Sequence, residues 1–592
     1  MRSTKTDCKR GAPELGARVT EKRAGFPLRE ACSCFLAWRF GIVGAFHYLC
    51  GKICDDMDNE LNIGLTFSGG GYRAATFDLG ALSMLNSVRL DDGRTLLDCV
   101  TALTSVSGGT IPALKYMLTM ARGEKVEDMV NELFAFLCNE DLVEHALSRL
   151  SEEKANPDAS SIKIMAEIYD KYLFGGAAMG EIIDNFGRIP VKDYTALATD
   201  FDNSLPFRFR LTEGRMTDNS RISYGVFGNQ RHSIGRSVVR YITLGETLAC
   251  SSCFPSGFEP MMFPDDFKVS TWEDIASGIT KRFGLMDGGV VDNQGIDPIL
   301  LAEKRMRKYR EDKTRTDKAF DLIIVSDVAS PYMDGYKPSK DLLSKKAGLL
   351  TIGRLRNYGL ISLAVVMVLF IVALVLGSDF WLGVMSVILA IVAGANILGA
   401  VAKNKLFSTL AGTFVGNRAT FISHLKFSTL AAMVMNRAKS VLMMSSEVFL
   451  KRLRQVNYDA LYEDEQWKDR VMSSTVYELR PGEQWRGLHK DGSRTAFLTP
   501  SEAMQQNSAL AASMGTTLWF TDEEKSNGMP QALLAAGQYT MCYNLLKYIL
   551  RIEENPVDLT AGHYTLIALK GQLFEAWERF QQDPRWMVPR KG

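Results

Sequence analysis

The sequence has no excess of charge of either sign. Lysine and arginine total 69 against 68 aspartates and glutamates, so no global field favours a nucleic acid partner. No basic stripe interleaved with aromatics takes its place. Histidine is scarce: His47, His145, His232, His424, His489 and His563 are the six, and none follows a strand-end glycine or sits in a motif. Ten cysteines in 592 residues are too few for a disulfide scaffold. Cys250 and Cys253 form the one C-x-x-C, and without a second pair it makes no zinc site. A reducing compartment is expected, with no metal and no cofactor. Internal repeats and low-complexity tracts are lacking as well. Length is what the chain has in plenty, and since single cores stop growing near about 250–300 residues, two or three units are expected.

Residues 1–56 differ from the rest of the chain. Basic residues outnumber acidic ones there, and Cys8, Cys32, Cys34, Cys50 and Cys54 crowd the stretch. Its apolar run at 35–50 is interrupted by Arg39 and His47, which leaves it too short and polar to span a bilayer and without a small-residue cleavage site. It reads as a basic, poorly ordered extension, with an acylated or interfacial anchor as the other reading; Met57 is a second candidate start.

From Leu61 onward the pattern is that of alternating strands and helices. Leu61–Phe67 and Cys99–Val106 are continuous apolar runs of strand length, each followed by a helical pattern, at Ala74–Val88 and Gly108–Ala121. Unbroken apolar strands between helices indicate a buried, mostly parallel sheet. Residues 125–185 read as a helical cover. Strands are expected at Tyr194–Thr199, Phe207–Leu211, Phe283–Met286 and Phe320–Val325, with helices from Leu244 and over Asp297–Arg310. Later, Phe427–Val456 reads as a long helical pattern with basic punctuation, Val476–Leu479 and Thr495–Leu498 as short strands, and Gln531–Leu550 as a closing helix.

Composition changes abruptly at Asn357. From there to Ala402 the only charge is Asp379. Tyr358–Leu376 and Phe380–Ala402 are each about the length needed to cross a hydrocarbon core of ~30 Å, with Gly377-Ser378-Asp379 as the turn. Lys345, Lys346, Arg354 and Arg356 precede the pair, and Lys403 and Lys405 follow it. Basic flanks and an uncharged-to-acidic turn place both soluble portions in the cytoplasm. The expected organisation is an extension at 1–56, an α/β domain at 57–345, a membrane hairpin at 346–405 and a mainly helical region at 406–592 that completes the α/β unit.

Three stretches carry chemistry. Ser68 is followed by Gly69-Gly70-Gly71, Tyr72 and Arg73. Three glycines lose much backbone entropy on folding, which is worthwhile where main-chain N–H groups must approach an anion; a flexible turn is the other reading. Thr104-Ser105-Val106-Ser107-Gly108-Gly109 ends a buried strand and opens a helix, the setting of a nucleophile elbow G-x-S-x-G in which the turn projects a serine. Ser105 stands where that pattern has its leading Gly. Ser107 is the candidate nucleophile, and an unassisted serine needs a base. Asp287, followed by Gly288 and Gly289, is the candidate. A late histidine in Ser…Asp…His order remains the formal alternative.

In this order and context, Ser-Gly-Gly-Gly-Tyr-Arg (68–73), Ser-Val-Ser-Gly-Gly (105–109) and Asp287-Gly288-Gly289 resemble the patatin-like phospholipases, and the opening pair is similar to the cytosolic phospholipase A2 group. Ala249-Cys-Ser-Ser-Cys-Phe-Pro255 resembles that family's Ala-Ser-x-x-x-Pro segment, Asp292-Asn293 fits, and Ala535-Ala536-Gly537 is similar to its closing helix. Ala74 departs from the Gly that often follows the Arg. The resemblance implies a three-layer α/β/α hydrolase with a mostly parallel central sheet, here with a two-helix membrane hairpin inserted. It implies a Ser107–Asp287 dyad without calcium and an oxyanion hole from Gly69, Gly70 and Gly71, with Arg73 lending charge or holding the loop. The expected function is a membrane-anchored serine hydrolase of phospholipid or related lipid esters, its partners being membrane lipids. The rival readings are a non-catalytic lipid-binding scaffold and an acyltransferase or thioesterase using the same dyad. Head group, chain length and oligomeric state are not written in the sequence.

Overall fold

The computed structural model describes residues 61–589 apart from 153–159, 218–219, 256, 272–280, 312–318, 329–350, 411–425, 445–447, 483–497, 555 and 557–558. The extension at 1–56 lies outside the described residues, as does the strand expected at Thr495–Leu498 but for Leu498. The apolar runs become strands: β1 (Ile63–Phe67) and β2 (Val100–Val106) are buried almost throughout. α1 (Gly71–Ser87) follows β1, and α2 (Thr110–Arg122) follows β2. Helices at 126–139, 142–152, 161–169 and 179–184 form the cover. β3 (Asp193–Asp200) returns parallel to β2, and β4 (Leu205–Thr217), β5 (Ser220–Gly228) and β6 (Ser233–Ile234) extend it antiparallel. α3 (Leu244–Ser252) leads to the antiparallel pair β7 (Met261–Phe263) and β8 (Phe283–Asp287). α4 (Ile296–Glu311) and β9 (Leu322–Asp327) follow. The last strand, β10 (Val471–Thr475), comes from beyond the apolar pair of helices and lies beside β9.

The strand order is β10-β9-β1-β2-β3-β4-β5-β6, and the first five run parallel. β10 corrects the strand expected at Val476–Leu479, which is a turn. Val476 and Leu479 are both buried, as strand residues would be, but they pack from the turn by which the chain leaves the sheet.

Next come α5 (Ile352–Val375) and α6 (Asp379–Leu410), joined at a turn where Gly377 has φ +61°. Arg356–Val375 and Asp379–Leu398 are long and apolar enough to cross a membrane, and 6% and 0% of them are buried. The two helices touch at Gly359. A Cβ there would stand 2.4 Å from Asn396 Oδ1, and Asn396 Nδ2 donates to the Gly359 carbonyl at 3.3 Å. Small residues and side-chain amides are what join helices when apolar burial does not. The helical pattern expected at 427–456 holds α7 (Phe427–Met443) and α8 (Phe449–Tyr462), with residues 445–447 between them outside the described residues.

Alternation along β9 defines the layers, since successive strand residues face opposite sides. Leu322 and Ile324 join the larger core under α1 and α9 (Met529–Glu554), while Ile323 and Val325 join a second core with Ile296, Ile299 and Met306 of α4. α1 and α9 cross at glycines. A Cβ on Gly537 would lie 2.0 Å from the Phe77 carbonyl oxygen, and one on Gly80 2.2 Å from that of Leu534. Helix propensity alone favours alanine over glycine by about 1 kcal/mol. The obstacle is backbone, however, so Gly537→Ala must drive the helices apart. A net loss of roughly 1–3 kcal/mol is expected, read as a lowered Tm; an unchanged or higher Tm would show that the crossing is loose.

Candidate active site

Ser107 leaves β2 with φ +51°, in the left-handed region where a side chain is strained by about 1–3 kcal/mol. The conformation is held from below. The Ser107 N–H donates to Ser251 Oγ at 2.9 Å, and Ser251 Oγ donates to the Leu197 carbonyl at 2.7 Å and lies 3.0 Å from Thr110 Oγ1. Ser105, the departure from the elbow pattern, is buried within β2; its Oγ lies 3.1 Å from Tyr194 Oη and accepts from Thr110 Oγ1 at 3.1 Å. The residue in the place of the usual Gly is therefore built into the packing under the turn.

Register brings Asp287 to Ser107. β2 pairs with β3 up to Val106 opposite Leu197, and beyond that point the same edge of β3 is taken by β8, with Asp287 opposite Ala198. The two strands meet end to end, so the residue after Val106 and the last residue of β8 are neighbours. The Asp287 carboxylate is buried and accepts from the Gly289 N–H at 2.7 Å. Burial pushes its pKa up to about 6, with the Gly289 amide and the neighbouring Ser107 hydroxyl opposing the rise. No cation figures among the groups that shift it.

One short segment positions both residues. Besides holding Ser107, Ser251 accepts the Gly288 N–H on its carbonyl at 3.2 Å, and the Cys253 carbonyl accepts the Asp287 N–H at 3.0 Å. Tyr169, from the helical cover, has its hydroxyl 3.2 Å from Ser252 Oγ. Ser251 is the residue that sequence reasoning missed. Its signal was the 249–255 segment, noted for likeness without a role for any of its residues.

The glycine turn lies against the elbow. A Cβ on Gly108 would stand 2.1 Å from the Gly71 carbonyl oxygen, and one on Gly69 3.0 Å from Ser107 Cβ. Gly71 has φ +59° and opens α1. The Gly69 N–H, expected as an oxyanion donor, is donated to the Asn293 carbonyl at 3.0 Å, and the Tyr72 N–H goes to Thr517 at 2.7 Å. Among the described residues the N–H groups of Gly70 and Gly71 have no such bond. Arg73 is directed to the C-terminal region: it donates to Met514 O at 2.8 Å and Tyr477 Oη at 3.1 Å. Of its two expected roles, these bonds match holding the loop. Asp292 is buried behind the site, its pKa raised by burial to about 6, and it accepts from the Gln294 and Asp297 amides and from Asn457.

The described histidines are engaged elsewhere. His145 bonds Glu140, His563 meets Thr560 and Tyr548, and His232 bonds Asp200 and stacks on Phe283 at the far end of β8. His47, His424 and His489 lie outside the described residues. Asp200, Asp202 and His232 could together face a cation, but Asp200 is already filled by Asn203, Asn229, His232 and two backbone amides, which makes it a structural corner.

A glycine turn, an elbow serine and a strand-end aspartate thus meet on a central parallel sheet of an α/β domain. Residues 65–300 match the model of the patatin-like phospholipase family. No curated protein matches the chain. Among solved structures, human GIVD cytosolic phospholipase A2 is similar at 16% identity and a TM-score of 0.26, covering 46% of this chain and 43% of that one. VipD from Legionella pneumophila is similar at 10% identity and a TM-score of 0.24, covering 90% and 89%. The chain thus spans about two fifths of the phospholipase A2 structure.

Ser251→Ala tests the brace. It leaves the Ser107 N–H without its acceptor, and an unsatisfied buried donor costs about 1–3 kcal/mol. Denaturant unfolding should show that loss, whereas Ser252→Ala, which touches Tyr169 and not the elbow, should show less.

Proposed function

We propose that the chain is a membrane-anchored serine lipid acyl hydrolase that cleaves ester bonds of phospholipids or related lipids through Ser107 and Asp287. The observation that carries this reading is the strand register that sets a strained elbow serine beside a buried carboxylate, whose pKa burial raises to about 6. Ser107 Oγ attacks the ester carbonyl carbon as its proton passes to Asp287. The oxyanion is met by the amides of Gly70 and Gly71; Gly69 is excluded because its N–H is held by Asn293. The C–O bond then breaks, and the leaving alcohol takes the proton from Asp287. Water attacks the acyl-serine with Asp287 again as base, the fatty acid departs, and Ser107 is regenerated. A carboxylate serves as base best when its pKa approaches the working pH, and burial achieves that here. Arg73 steadies the glycine turn from outside the reaction.

The anchoring half rests on α5 and α6, whose 20-residue apolar spans have almost no buried residue. An exposed apolar surface of that extent belongs in lipid. β9 and β10 flank the pair in sequence and are adjacent in one sheet, so both ends of the hairpin lie on one side of the bilayer. The basic flanks make that side the cytoplasm.

Fatty acid release from phospholipid vesicles by the full chain and by Ser107→Ala tests the reaction. Release should fall to background in the variant, and a fluorophosphonate should label Ser107 in the parent. Equal release would remove Ser107 from the mechanism, release from neither would favour a lipid-binding scaffold, and acyl esters formed with added alcohols would indicate transfer. Asp287→Asn should lower kcat by about 10²–10⁴-fold.

The pH profile has a definite sign. Asp287 acts as base only when ionised, so kcat/KM should be constant above about pH 6 and fall tenfold per unit below it. A limb centred near 4 would mean a solvated carboxylate, and so contradict the buried geometry.

A further inference from the structure

The side of α8 that faces the protein is polar and fixed. Arg454 donates to Asp327 Oδ2 at 2.6 Å, Tyr458 to the same oxygen at 2.9 Å, and Asn457 Nδ2 to Asp292 Oδ1 at 3.1 Å, while Leu461 is fully buried. This spacing defines one side of a helix. The other side carries Phe449, Leu453 and Val456, which are 58%, 39% and 45% exposed, with exposed Arg452 among them. Helices on soluble proteins turn the apolar stripe inward; α8 turns it outward and cannot rotate without breaking its bonds to Asp327 and Asp292. α7 likewise exposes Met435, Val441 and Leu442 beside Arg437. From 426 to 456 one acidic residue, Glu447, stands against six basic ones.

The position of α7 identifies what covers these faces. Lys426, its N-cap, bridges to Thr351, the N-cap of α5. The first apolar span begins at Arg356, roughly 7.5 Å along the helix from Thr351. α7 therefore starts at the foot of the hairpin, where a headgroup layer would lie. We propose that α7 and α8 rest on the bilayer there, with their apolar side chains among the acyl chains and their basic residues at anionic headgroups. This rests on the reading of α5 and α6 as membrane spans. Apolar residues interleaved with Lys and Arg are the composition of an interfacial helix. Because the inner side of α8 holds Asp327 and Asp292, lipid contact on the outer side fixes the rim of the site against the surface that supplies the substrate.

The test is photolabelling of the full chain in phosphatidylcholine vesicles containing phosphatidylglycerol, using a phospholipid with a diazirine near its glycerol, followed by peptide mapping. Label is expected on both the hairpin and 427–462. Replacing phosphatidylglycerol with phosphatidylcholine should lower the label on 427–462 by about five-fold for each basic residue engaged, with the hairpin label unchanged. Phe449→Asp combined with Leu453→Asp should remove label from α8 alone. A labelled hairpin with an unlabelled 427–462, or crosslinks from 427–462 to a second copy or to the chain's own first sixty residues in place of lipid, overturns the proposal and leaves the hairpin standing. Label on neither overturns both readings. Fatty acid release is not the readout, so the hydrolase reading stands or falls separately.

Discussion

Everything at the site depends on how closely two strand-to-helix turns approach. β1 and β2 are neighbours in a parallel sheet, so the turns that leave them, at Gly69–Gly71 and at Ser107–Gly109, end at one level. There is no room between them for a side chain: a methyl on Gly108 would strike the Gly71 carbonyl oxygen, and one on Gly109 would lie 2.6 Å from that of Ser68. That backbone contact sets the glycine turn directly against the elbow serine. Any residue larger than glycine would drive the two turns apart.

The second constraint is end-to-end strand pairing. β8 takes over the edge of β3 where β2 stops, and the sheet itself sets the spacing of Ser107 and Asp287. The brace at 249–255 then ties both backbones to one helix end through the Ser251 hydroxyl and the Ser251 and Cys253 carbonyls. Ser107 is held by its strand and by that brace, which is how a residue at φ +51° persists.

Much of this was legible in sequence because the deciding signals are local. Unbroken apolar runs ending in glycines mark β1, β2 and β8 whatever they later pack against. Ser107 and Asp287 stand out locally for the same reason, and strand register brings them together. The bond from the Gly69 amide to Asn293, far away in the chain, was not legible, since no local pattern announces such a partner. Arg73 was half legible: its charge was plain, but Met514 and Tyr477 come from a region whose arrangement the sequence left open. At Val476–Leu479 the burial of apolar residues was foreseen and the conformation was not, since hydrophobicity reports burial more faithfully than strand geometry.

The position of Arg73 also bears on the base. A guanidinium within about 4–6 Å of a carboxylate lowers its pKa by about 1–3 units, and a proton acceptor lowered in that way would be a weak one. Among the described residues Asp287 has no such partner, and burial raises its pKa to about 6. Arg73 is two residues from Gly71, yet the groups acting on it are Tyr477, Asp327 and Arg454. Its bonds to Met514 and Tyr477 tie the glycine turn to the C-terminal region and commit the guanidinium to those partners. For the proposed Ser107–Asp287 pair this matters, because a base without a cation beside it keeps the basicity that burial confers.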